Sequence, residues 1–507
     1  MQPYFLGFRT RSSFVKERAN ISTERLFAFF TGKQMKTADP AKSTKKKILV
    51  ISYHFPPSRA IGGLRAFNFV KYLPSFGWIP RVLTIEDRYL DEADWERVKE
   101  VETVRIIKAG KLPTLRDAYL CIKKTGYRIL KKDFGAQEKS GIPGHSSNGG
   151  PSDTETLSQR LKRYIISLFL TLPDTDTGWI IPAVLRAVRE IKKEKIDCIL
   201  TSCPPYSVHL IGILVKMLTG VTWVADFRDP WMTTGTKKIF PTSALSNKIE
   251  SWLEGKVIQR ADLLLFNTNP LRDAYKEKYP SETANKFVHI PNGIDQTIFS
   301  QLASLKKNET FTLSYTGSLY IDRSPEPVFK AMSQLLLDGK VSPGEVVIKL
   351  VGSCRFVGSY PVSRMARDYG LDSIVEISDP VPYRKALEII RQSHLALIFA
   401  PNQPFQIPGK VYDYIGTGAR ILAIAEKSAT SDLLHSTNCG KAFHPSDIEG
   451  IKDFIFQTMT SEPSSEEDYS MDVSRFDARR ITESLSNNLD GIVVQRRYPR
   501  KRENLRA

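Results

Sequence analysis

The apolar residues of this chain fall into short continuous runs, set apart by stretches of helical spacing. Lys47-Ile48-Leu49-Val50-Ile51-Ser52 is continuous rather than alternating and too short for a helix, the pattern of a strand covered on both faces. It runs into Tyr53-His54-Phe55-Pro56-Pro57 and Ile61-Gly62-Gly63. A helix follows with apolar positions Phe67, Val70, Leu73 and Phe76, and Gly77-Trp78 stops it before a second strand at 81–85. Strand, glycine loop, helix and strand predict a βαβ unit whose loop lies at the carboxyl edge of a parallel sheet. The loop lacks the full G-x-G-x-x-G spacing, so a dinucleotide site is not indicated.

Further strand-like runs lie at 104–109, 198–202, 222–226, 263–267 and 287–291. The pattern then restarts at 312–315 and continues through 346–351, 375–378, 395–400 and 420–424. Two α/β halves predict two doubly wound, Rossmann-like domains facing across a cleft. The most informative stretch is Gln406-Ile407-Pro408-Gly409-Lys410-Val411-Tyr412-Asp413, with the helix ended by Gly416 and Gly418 before a buried strand. Such a unit aims backbone N–H groups and a carboxylate at a crevice where a nucleotide can sit. Pro408 and Gly409 shape the loop, Lys410 brings charge near phosphate, and Asp413 can accept from ribose hydroxyls. An ordinary helix–strand unit with an exposed Asp is the plainer alternative.

Charge changes the picture mainly at the flanks. The 507 residues carry a formal charge of +18. Residues 1–47 hold eleven Lys/Arg against three acids, 108–163 twelve against five, and 491–507 six against one. The remaining core is close to neutral. No nucleic-acid motif accompanies the charge, so nucleic acid is not the expected partner. Attraction to an anionic membrane surface fits a neutral core with basic appendages, and merely solvated tails fit as well. Within the insert, 134–158 is rich in Gly, Ser and Pro and reads as a loop. The flanking stretches 118–132 and 157–172 read as basic, partly amphipathic helices, suited either to a bilayer or to packing on their own domain. Met35 is a candidate start. The five cysteines make no C-x-x-C pair, which suits a cytoplasmic setting, and no apolar run approaches the ~20 residues of a membrane span.

Five segments in order resemble glycosyltransferases of family 4 and related families. They are 48–84 with its Phe-Pro-Pro and Gly-Gly loop, Val224-Ala225-Asp226-Phe227-Arg228-Asp229-Pro230-Trp231, His289-Ile290-Pro291-Asn292-Gly293-Ile294-Asp295, Leu313-Ser314-Tyr315-Thr316-Gly317-Ser318-Leu319, and the 406–424 block. The resemblance implies the GT-B fold. The acceptor domain would span 46–300 after a basic extension (1–45), and the nucleotide-sugar donor domain 301–470. A helix at 471–490 would return to the first domain, and a basic tail would close the chain at 491–507. It also implies that Gly317, Arg323, Gly409, Lys410 and Asp413 meet the donor, that Gly62 and Gly63 close over its phosphates, and that Pro382 borders the nucleobase. Ser318 stands where the family often has Arg.

Many members carry two glutamates eight positions apart; Asp413 matches the second, while the first falls at Phe405, next to Gln406. Asp226 or Asp229 would orient or deprotonate the acceptor, with His54 a further candidate. Arg228 would hold a donor or acceptor phosphate, or else form an internal Asp–Arg pair. His209 reads as a packed residue. Asp174-Thr175-Asp176 spells a metal motif of a different fold, and no obligatory metal or other cofactor is expected. The implied activity is transfer of a sugar from a nucleotide-sugar donor to a glycan or polyprenyl-linked acceptor, with retention, at the inner face of a membrane in polysaccharide or glycoconjugate synthesis. A sugar-nucleotide epimerase and a catalytically degenerate nucleotide-binding protein share the fold and stay open.

Overall fold

A computed structural model of the chain describes residues 45–90, 94–117, 172–232, 244–461 and 473–497. Its first sheet contains seven parallel strands: β1 (Lys46–Ser52), β2 (Trp78–Ile85), β3 (Arg105–Ala109), β4 (Cys198–Cys203), β5 (Thr222–Phe227), β6 (Leu263–Phe266) and β7 (Phe287–His289). They stand in the order β3-β2-β1-β4-β5-β6-β7. The second sheet is built from β8 (Phe311–Ser318), β9 (Val346–Ser353), β12 (Val375–Ser378), β13 (Leu395–Phe399), β14 (Arg420–Ile424) and β15 (Gly440–Phe443), in the order β12-β9-β8-β13-β14-β15. A small hairpin, β10 (Phe356–Val357) with β11 (Tyr360–Pro361), stands apart. Strand order reverses between β1 and β4 and again between β8 and β13, and crevices for ligands open at such points.

The continuous apolar runs are explained by cover on both faces. Ile48 and Val50 point toward helices Leu64–Tyr72 and Ala478–Arg497, while Leu49 and Ile51 pack on the side of Ile180–Glu194 and Ser207–Thr219. Burying each such side chain contributes about 1.5–3 kcal/mol. Ile481, Leu485, Leu489 and Val493 of the last helix complete the first domain's core, and Trp78 donates to Asp490 at 3.0 Å. The chain thus returns to its first domain after building the second.

The predicted strands differ from the observed ones mostly at their ends. β7 stops at His289 because Pro291 has no N–H to offer a ladder. β15 was not legible, since only Ala442 and Phe443 mark it as apolar. The expected insert helices and the loop at 134–158, most of the N-terminal extension and the end of the basic tail lie outside the described residues. Among the described residues, no helix is long and apolar enough to cross a membrane.

Candidate functional site

At the carboxyl edge of the first sheet, Gly63 begins the helix that carries Arg65. A Cβ at Gly63 would lie 3.0 Å from the His54 carbonyl, so glycine lets the chain pass there without displacing that backbone. Arg65 then reaches Asp226 at the end of β5, with Nε at 3.0 Å and Nη2 at 2.9 Å. Its Nη1 donates to the Pro291 carbonyl at 2.7 Å, and Ser202 donates to Asp226 at 2.7 Å. Asp226 has no exposed surface. The structure therefore corrects the expectation that it handles the acceptor hydroxyl: it is a buried strut joining helix, sheet and the 291–292 loop.

Arg228 likewise spends its guanidinium on the main chain, donating to the carbonyls of Cys203 (2.6 Å), Pro204 (2.7 Å) and Gly62. It shapes the glycine loop. It is neither the free phosphate ligand nor the Asp–Arg pair considered from sequence. Asp174 accepts the N–H groups of Ser207 and Asp176, and Asp176 pairs with Lys111 at 2.8 Å. His209 is buried, lies 2.9 Å from Thr201 Oγ1, and burial pushes its imidazole down to about 3.

His54 is half-buried. Burial, then Arg228, lowers its imidazole below the ordinary value, so it stands neutral at pH 7. Asp229 is the partly exposed acid of this edge, and its Oδ1 accepts from Gln406 Nε2 at 2.6 Å across the cleft.

The edge of the second sheet is built differently. Gly317, next to last in β8, has φ +140°, Gly352, next to last in β9, has φ +124°, and a Cβ on Gly352 would stand 2.1 Å from the Gly317 carbonyl. Lys410, one residue into helix Gly409–Thr417, donates to the Thr316 carbonyl at 2.7 Å and sits 4.0 Å above the Tyr315 ring. Burial, with Arg323 adding, pushes its ammonium down to about 7. Burial also pushes the Asp413 carboxyl up to about 6, against the Tyr383 hydroxyl (2.6 Å), Arg97 and Lys410. Arg323 stacks on Tyr320 at 4.9 Å. Gly409 is exposed at the helix N-terminus, where first-turn N–H groups have no helical acceptor. Pro382 is exposed directly before helix Tyr383–Gln392.

The two edges meet through the 405–406 loop. Phe405 packs against the first domain's core, and its carbonyl accepts from Thr268 at 2.6 Å. The position where the family often has a carboxylate therefore seals a domain contact. Between Asp413, Tyr383, Arg97, Glu100 and Asp295 lies a small, partly open cavity of about 40 Å³. An open hollow of about 420 Å³ lies elsewhere, at the hinge beside Gln296, Asp477 and Arg480. Sequence reasoning missed Arg65, Thr268 and Arg97, whose partners lie far away in the chain.

Two doubly wound domains with their carboxyl edges turned toward one cleft define the GT-B class. Residues 147–297 match the sequence model of Glycosyltransferase Family 4. Among solved structures it is similar to Anabaena HepE in complex with UDP and glucose, at 13% identity and a TM-score of 0.53 over 88% of this chain and 100% of that one. Sucrose-phosphate synthase of Thermosynechococcus elongatus is 14% identical, with a TM-score of 0.51 over 89% and 97%. A putative UDP-N-acetylglucosamine 2-epimerase of Listeria monocytogenes is 10% identical, with a TM-score of 0.50 over 90% and 98%. At such identities the likeness is one of fold. No curated protein matches the chain by sequence.

Proposed function

We propose that this protein transfers a sugar from a nucleotide-sugar donor to a glycan or lipid-linked acceptor. The observation that carries this reading is the pairing of Lys410 and Asp413 on one helix at the edge of the second sheet, each held away from its ordinary ionisation by burial. A pyrophosphate would restore the charge of Lys410, and ribose hydroxyls would give Asp413 the donors that water no longer supplies. Arg323 and the N–H groups after Pro408 complete the phosphate cradle, with Gly62 and Gly63 facing it from the other domain. These groups, rather than a metal, neutralise the leaving diphosphate.

At the acceptor side, Asp229 and His54 remain available to orient the hydroxyl. In a retaining reaction the departing phosphate takes the acceptor proton on the same face. Closure of the Thr268–Phe405 and Asp229–Gln406 contacts would keep water from the anomeric carbon. The HepE complexes with UDP-glucose support a UDP-sugar as the first donor to try. The charge of 108–163 and of the two termini supports docking at an anionic membrane surface.

The test is calorimetric titration with UDP-glucose, GDP-mannose and ADP-glucose, followed by product analysis with and without acceptor glycan. Binding of one donor that Asp413→Asn abolishes, with acceptor-dependent turnover, is expected. Donor interconversion without acceptor would establish an epimerase instead, and binding without turnover a degenerate enzyme. Vesicles of anionic phospholipid should sediment with the protein, and deletion of 108–163 should weaken that association.

A further inference from the structure

The donor pocket is not built by the second domain alone. Arg97 belongs to the first domain, on the short helix Glu96–Lys99, yet its guanidinium lies 4.6 Å over the ring of Tyr383 in the second. Tyr383 in turn donates to Asp413 Oδ1 at 2.6 Å. The Arg97 side chain is only 13% exposed, and its nearest recorded acid, Asp94, is 3.5 Å away, too far for a tight pair.

The segment holding Arg97 is anchored at both ends. Asp94 N–H donates to the Pro57 carbonyl at 2.6 Å, beside the Phe-Pro-Pro loop. Glu100 pairs with Lys71 at 2.6 Å, and Lys71 also pairs with Asp295, which caps helix Gln296–Ser300 at the hinge. Arg97 is therefore fixed by the first domain and the hinge, and delivered to the second domain's pocket.

We propose that Arg97 is a positioning residue of the nucleotide pocket, supplied across the cleft, that holds Tyr383 and presents a positive charge to Asp413 when the domains are closed. The proposal rests on the reading of Asp413 as the ribose acceptor. Ribose hydroxyls donate hydrogen bonds, and Asp413 accepts from two of them only when ionised. Asp413 faces Arg97 and Glu100 from the first domain, Asp295 from the hinge, Tyr383 from the neighbouring helix and Lys410 from its own. Arg97 and Lys410 are the cations of that set; Glu100 and Asp295 share the single ammonium of Lys71. Removing Arg97 leaves Lys410 as the sole cation among them, so Asp413 gives up its proton only at higher pH. Opening the cleft withdraws Arg97 from Tyr383 and Asp413, which ties this contact to closure.

The experiment titrates wild type, Arg97→Met, Arg97→Lys and Asp413→Asn with UDP-glucose, GDP-mannose and ADP-glucose between about pH 5.5 and 8.5, a range that brackets the groups involved. These diphosphate diesters do not themselves titrate there. Arg97→Met should weaken binding roughly tenfold at pH 6 and less at pH 8, moving the acid limb upward. Arg97→Lys should retain the wild-type limb. A melting curve checks that each variant is folded, and Arg97→Lys keeps the test open where Arg97→Met does not fold. Loss of binding in Asp413→Asn with an unmoved acid limb in Arg97→Met would overturn the role of Arg97 alone. Unchanged binding in Asp413→Asn, or no binding by wild type, would overturn the ribose reading beneath it.

Discussion

The carboxyl edge of the first sheet and that of the second handle buried charge in opposite ways. On the first, Asp226 is met by Arg65 and Ser202, Arg228 by three carbonyls, and Asp174 by two backbone N–H groups. Their charges are spent on holding loops in place. On the second, Lys410 has one carbonyl and an aromatic face, and Asp413 has one phenol. Lys410 and Asp413 are left with fewer internal partners than the charges of the first edge, and incompletely partnered charge costs stability. Motifs of similar appearance in the sequence thus separate according to how completely the fold satisfies them.

The sharpest way to break this contrast is at Arg65. Arg65→Met leaves Asp226 buried without its main partner and should cost about 3–5 kcal/mol, enough to unfold the first domain in mild urea. A midpoint unchanged from wild type would place Asp226 outside the scaffold. Asp413→Asn should act in reverse, losing nucleotide-sugar affinity roughly 10–100-fold while raising the melting temperature. The sign follows from linkage. A carboxyl whose folded-state value rises from 3.8 to about 6 withholds stability progressively as pH climbs through that window, and fully above it. The gain in Asp413→Asn should therefore appear at pH 8 and vanish near pH 4.

Lys410→Met gives the mirror image. An ammonium lowered from 10.5 to about 7 destabilises the fold fully below pH 7 and not at all above its ordinary value. The variant should melt higher at pH 6.5, lose that advantage in alkali, and bind donor roughly tenfold more weakly. Smallest of all should be Gln406→Ala. It removes one part-buried hydrogen bond between the domains and should change donor affinity about threefold, the low end of the about 0.5–1.5 kcal/mol that such a bond contributes. A large loss of turnover in that variant would move Gln406 from closure to chemistry.

Much of the fold could be read in advance because its strands are buried on both faces and so appear as unbroken apolar runs. The edge of the second sheet was legible for a related reason. Pro408 and Gly418 bracket the helix and fix where Lys410 and Asp413 fall along it, although Gly416, expected to help end the helix, lies inside it. The edge of the first sheet was not, because the fate of Asp226 depends on Arg65, 161 positions away, and no local pattern announces such a pair. Arg97 was hidden further still. It sits in a charged stretch, Glu96-Arg97-Val98-Lys99-Glu100, that looks like ordinary solvated surface until the fold lays Tyr383 beneath it.

The return of helix Ala478–Arg497 has a consequence for synthesis. Ile481, Leu485, Leu489 and Val493 fill a groove formed by residues made more than 400 positions earlier, such as Ile48 and Val50. While the ribosome is still translating the second domain, the first must wait with that apolar groove uncovered. The nascent chain therefore carries an exposed apolar surface until its last helix emerges, a period in which it is open to aggregation.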